Sequence, residues 1–290
     1  MRKNVILSVS VFFIFSVQNV YGFNELLIRF HESMYSGKYN ETRAILSELT
    51  KNYSDRAETK LALANYMLLM YETSSYNDSY LTTCKKYSEQ AVEIIKKSKE
   101  MGYDEVFNII SAKAIILKVR VLHKNYLTAA KDLKNIITFF EYALQHEEND
   151  KMKIISGMYN YHMETAKEDY PVIYPVVIFY PSGDKQKGLR LLKECTSIKD
   201  RNISIKSKIY LARIYRNDEK NFVMTKYWFE NLLSEFPDNL FWRHEYIATL
   251  KRFNKPAEAD AQRLILNEKV KSSVHINDEQ RKFLQSDLKL

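Results

Sequence analysis

The residue types that carry chemistry are thinly spread in this 290-residue chain. His162 and Glu164 are too close in sequence to act as ligands from one helical face. His244-Glu245 lacks the second His of a His-Glu-x-x-His zinc helix. The sole Gly-x-x-x-x-Gly spacing, Gly183 to Gly188, is not followed by the Lys and Ser that would complete a phosphate-cradling loop. No Gly-x-Ser-x-Gly offers a nucleophile elbow. Cys84 and Cys195 stand 111 positions apart, in separate helical units, and read as two buried free thiols. No catalytic, cofactor or metal residue is therefore assigned, and the chain is expected not to be an enzyme. An active site assembled from residues distant in sequence stays open.

Whatever the chain does must be positioned by helices. With 6 Gly and 5 Pro beside 21 Tyr and 15 Phe, it has too few turn residues for an all-β protein, so an all-α fold is predicted. Leu211, Ala212 and Tyr215 share a face of one helix. Phe222, Thr225, Phe229, Leu232, Leu233 and Phe236 recur every three or four residues along a second, and Pro237 closes the unit. Similar pairs are read at Glu25 to Leu49, around Gly37, and at Arg56 to Tyr71 with Tyr80 to Lys97. Two more are read at Tyr103 to Leu122 with Tyr126 to Gln145, and at Asn239 to Leu266. The polar stretch Thr73 to Asp78 reads as a loop too long for a tight turn. Tyr170-Pro171, Tyr174-Pro175 and Tyr180-Pro181 interrupt the pattern, so Asp169 to Ser182 is predicted as a bent helix or an apolar loop. Gly183 restarts the pattern, with Gly188 where close packing wants a small residue. From Lys269 the chain turns polar, and Asn277-Asp278 can cap a short helix reaching Leu284.

The order Leu211-Ala212, Tyr215, a turn from Asn217 to Asn221, Phe222, Thr225, Phe229 and Pro237 resembles the tetratricopeptide repeat (TPR). Thr225 stands where the repeat usually has Ala, and the turn carries one extra residue. Residues 150 to 260, with Gly157-Met158-Tyr159-Asn160-Tyr161 and the glycines that follow, resemble largely uncharacterised secreted bacterial TPR proteins. The resemblance implies a solenoid of about five helical hairpins over residues 23–268, ended by a polar segment, 269–290, with a capping helix. It also implies a concave groove lined by first helices, which binds partners without chemistry. Its groove positions fall on Lys206, Ile209, Arg213 and Arg216, then on His244, Ala248 and Lys251. Lys206, Arg213, Arg216 and Lys251 suit a protein or peptide partner with an acidic or carboxylate-ended segment, and they equally suit an ordinary solvated helix face. The Lys/Asn arrangement of the carboxylate-clamp TPRs is not reproduced.

Two further features bear on function. Arg2 and Lys3 precede an apolar run, Val5 to Val17, and Val20-Tyr21-Gly22 offers small residues for cleavage. Residues 1–22 therefore read as a signal peptide, because the run is about 13 residues where a membrane span needs roughly 20. Export to a bacterial periplasm or medium is expected, with no stable membrane span left after cleavage. Loss of Arg2 and Lys3 lowers the net charge from +8 to +6, too little for a nucleic-acid footprint. Tyr170, Tyr174, Phe179 and Tyr180 form a possible aromatic docking patch. An accessory or enzymatic site within residues 157–183 is the alternative to a binding scaffold.

Overall fold

In a computed structural model, residues 22–74, 76–169 and 180–286 are described, and among them the chain is all-helical. Six helix pairs follow one another: α1 (22–35) with α2 (Tyr39–Asn52), α3 (Ala57–Thr73) with α4 (Asp78–Ile95), and α5 (Tyr103–Leu122) with α6 (Tyr126–Lys134) and α7 (Ile137–Gln145). Then come α8 (Asp150–Asp169) with α9 (Lys185–Cys195), α10 (Arg201–Asn217) with α11 (Phe222–Glu235), and α12 (Leu240–Arg252) with α13 (Pro256–Ser272). A last helix, α14 (Asp278–Ser286), is capped by Asn277, whose side chain accepts from the Gln280 amide at 2.8 Å. All of the expected signal peptide except Gly22, the first residue of α1, lies outside the described residues.

The connection inside five of these pairs is built alike. Gly37, Tyr76, Lys124, Lys220 and Asn254 have positive φ, and each stands two residues before the next helix. After α1, α5 and α12 the following amide reaches back five residues, Lys38 to Ser33, Asn125 to Arg120 and Lys255 to Leu250, at 2.8–2.9 Å. That bond closes the orphan carbonyls of a helix end through a left-handed residue. After α10 the span is one longer, Asn221 to Tyr215 at 2.9 Å, so the extra residue is absorbed in the turn. Gly37 has a second reason to be glycine, since a Cβ there would sit 3.0 Å from the Asn239 backbone.

Three sequence expectations change. The second helix of the third pair breaks, because the Asn135 and Ile136 amides turn back to Asp132 and Leu133 and so bury Ile136. The loop after α3 is short, because α3 continues to Thr73, whose hydroxyl back-bonds to the Leu69 carbonyl at 2.7 Å. There are six pairs instead of about five, because α8 and α9 pack as a full pair. Their glycines permit that contact. A Cβ on Gly188 would meet the Tyr161 amide nitrogen at 2.6 Å, and one on Gly183 would meet the Asn160 carbonyl at 2.4 Å.

Thr225 is fully buried in place of the expected Ala, its hydroxyl satisfied by the Asn221 carbonyl at 2.7 Å. Cys84 and Cys195 are free and buried in different core clusters, and burial pushes both thiols up to about 12.

The chain does not extend as a series of neighbours only. Tyr35 and Tyr39 belong to the same core as α10 to α14. Asn239 caps α12 by accepting from Phe241 and Trp242 and donates to the Tyr35 carbonyl at 2.8 Å. The Tyr35 hydroxyl donates to Asn202 at 2.7 Å. On α14, Gln280 is buried and donates to Thr73 at 3.1 Å, while Phe283 packs on Tyr76 and Phe241. The first and last helical pairs are thereby joined, and the first helices of the pairs turn toward a common interior.

Candidate functional site

The closure leaves a half-open cavity of about 650 Å³. Its wall comes from α1, the start of α2, α3, α5, α10, α12 and α14, together with Tyr76. α3, α5 and α12 bury residues on more than one face, as helices packed on several sides do.

Five of the seven groove positions read from the sequence meet here: Ile209, Arg213, Arg216, His244 and Ala248 line the cavity, whereas Lys206 and Lys251 do not. Lys251 is exposed in the last turn of α12. Aromatic rings form much of the wall, among them Tyr39, Tyr71, Phe241, Trp242 and Phe283.

Charge crosses the cavity as a connected network. Arg213 donates to Glu245 through Nε at 3.2 Å and Nη2 at 3.3 Å, and Arg216 Nη1 donates to the same carboxylate at 2.7 Å. On its other side Arg213 lies 4.0 Å from Glu72, which also holds Lys118. Burial pushes the Glu245 carboxyl up, yet the attraction of Arg213 and Arg216 outweighs it and holds the group below its ordinary range. Glu245 raises Arg213 above its already high value, against the opposing effect of burial. Arg213 is surrounded by protein, but 38 % of its side chain stays open, which places its guanidinium on an interior space that water can enter. Three cations thus share two carboxylates, so the arginines are ion-paired and do not stand as a free basic stripe, although the network keeps one net positive charge.

Lys206 and His31 lie one helical turn from lining residues, Lys206 below Ile209 on α10, and His31 below Met34 and Tyr35 on α1. Burial pulls the Lys206 ammonium down to about 8, with Asp200 opposing and Lys151 reinforcing the shift. Burial and the Lys206 charge hold His31 down at about 3, so its ring is neutral. Among the described residues, His31 Nδ1 is buried without a hydrogen-bond partner and Lys206 has no carboxylate within ion-pair reach.

Of the aromatic patch, Tyr170, Tyr174 and Phe179 lie outside the described residues. Tyr180 is half-buried and packs against Tyr159 and Met163. Glu72, Lys118 and Glu245 escaped the sequence reading, although applying the groove register to α3 and α5 as well as α10 would have singled out the first two. Among the described residues no three His, Cys, Asp or Glu side chains converge as a metal site, and no helix is long and apolar enough to cross a membrane. Compared with known proteins, the chain matches no family model, no curated protein and no solved structure.

Proposed function

We propose that this chain is an exported, non-catalytic binding scaffold of TPR-like helical hairpins, which holds a segment of a partner protein in its interior cavity. The observation that carries the reading is the cavity itself, a space of about 650 Å³ lined by first helices, with aromatic walls and a polar network across it. That volume lies in the range of ligand pockets, roughly 300–1,000 Å³. It admits a few side chains of an extended segment and excludes a folded domain. The repeated left-handed turn, placed alike in five pairs, supports a hairpin-repeat architecture, here one tight superhelical turn closed by α14. Export rests on the sequence of residues 1–22. The acidic-partner reading is narrowed by the Glu245 contacts, because a partner that used Arg213 or Arg216 would first have to displace that carboxylate. The alternative site within residues 157–183 has less behind it, since Gly183 and Gly188 are accounted for by close approach to the α8 backbone, and Gly157 by the Leu191 and Leu192 side chains packed on it.

Ala248 lines the cavity and is exposed to it, so Ala248→Trp fills the space without disturbing the core. Proteins captured by the wild-type mature chain should be lost with Ala248→Trp while its thermal midpoint stays put. Equal capture by both forms would remove the cavity as the binding site.

A further inference from the structure

Three cations line the cavity, Lys118, Arg213 and Arg216, and a fourth, Lys206, stands one helical turn beyond the lining on α10. The first three share two carboxylates, Glu72 and Glu245. Lys206 has none among the described residues, and its surroundings are otherwise aromatic and cationic. Its Nζ lies 5.3 Å from the centre of the Phe107 ring, and Lys151 Nζ lies 5.9 Å from the same ring. Lys151 is matched by Asp104 at 2.6 Å, yet its charge still works against the Lys206 ammonium. Asp200 is the one acid on α10 that faces Lys206, but its carboxylate is engaged at the helix cap, accepting from Ile203 at 3.1 Å. From α1 the neutral His31 presents a buried nitrogen without a partner. A half-buried ammonium with only a ring for company is costly unless a counter-charge joins it.

We propose that Lys206, with His31 beside it, seats an oxyanion of the ligand just beyond the cavity lining, one helical turn from Ile209. The inference rests on the cavity being the binding site. It assigns anion recognition to Lys206 and away from the arginines, which Glu245 already occupies. One ammonium and a neutral imidazole match a single negative charge, and the nearby rings of Tyr35, Tyr210 and Phe107 favour an apolar body attached to it. A carboxylate and a phosphate share this chemistry.

The test needs no partner protein. Thermal midpoints of the mature chain are measured at pH 7 with phenylacetate, with inorganic phosphate, and with chloride at equal ionic strength, for wild type, Lys206→Met and the exposed control Lys251→Met. An anion that seats on Lys206 should raise the wild-type and Lys251→Met midpoints by about 2–4 °C over chloride and leave Lys206→Met unmoved. Protection by phenylacetate alone assigns a carboxylate, and protection by phosphate alone assigns a phosphate group. Lys206→Met removes an unmatched charge and should melt no lower than wild type in chloride, so its silence would not reflect misfolding. Calorimetry at pH 8.5 in two buffers should show proton uptake on binding, because the anion restores the ammonium. Equal shifts in all three proteins, or none in any, overturn the proposal and leave the Ala248→Trp result to stand or fall separately.

Discussion

At the residue scale, the interior is governed by which charges find partners. Glu245 serves two arginines, Glu72 bridges Arg213 to Lys118, and His31 is kept neutral by burial. His31 makes a pH prediction with a definite sign. Its folded value, about 3, lies below its ordinary 6.5, so in that window the unfolded chain takes up a proton that the folded chain refuses. Stability is therefore complete above about pH 6.5 and falls as the pH drops, by at most about 1.4 kcal/mol per pH unit for this one group. Urea midpoints between pH 7 and pH 5 should decline in wild type and decline less in His31→Gln. Parallel profiles would mean that the imidazole is not held neutral.

At the element scale, helices are brought together by small residues at chosen points. Gly188 on α9 meets the backbone of α8, where a methyl group would fall 2.6 Å from the Tyr161 nitrogen and 2.8 Å from the Gly157 carbonyl oxygen. Backbone cannot give way as a side-chain tip can. Gly188→Ala should therefore cost about 1–3 kcal/mol in denaturant unfolding. Gly102 is the matched control, since its added Cβ would meet only the mobile carboxylate of Glu105 at 3.1 Å. Gly102→Ala should shift the midpoint little. If the two variants were equally stable, α8 and α9 would not be packed backbone to backbone.

On the scale of the whole molecule, closure is made by a few contacts between distant parts of the chain. Gln280 carries one of them: its side chain caps α14 at Asn277 and reaches Thr73 on α3, and it is 1 % exposed. Gln280→Ala leaves the Thr73 side of that bond behind and should cost about 1–2 kcal/mol. The distinctive readout is where the loss is felt. Hydrogen exchange should quicken in both α14 and the end of α3, because the two are stabilised together. Faster exchange confined to α14 would show that the helix caps the last pair without closing the molecule.

The helical pairs were legible in the sequence because they are local. A buried stripe recurs every three or four residues, an Asn or Asp caps the next helix, and a turn must place one residue in left-handed geometry. Leu211, Ala212, Phe229 and Asn277 all announce themselves within a few positions of their neighbours. The inward placement of Ile209, Arg213, Arg216, His244 and Ala248 came from the family resemblance, whose groove positions fall on the first helices of the repeats. What those residues meet was not legible. Arg213 meets Glu245 on the next first helix and Glu72 on a helix far upstream, and nothing in the local pattern around Arg213 specifies either partner. The same holds for Lys206, whose want of a carboxylate is a fact about α1, α5 and α8 and not about α10. Periodicity decides which side of a helix is buried. Only the tertiary closure that brings Tyr35 to Asn239, and Thr73 to Gln280, decides that the first helices border a common space and which charges share it.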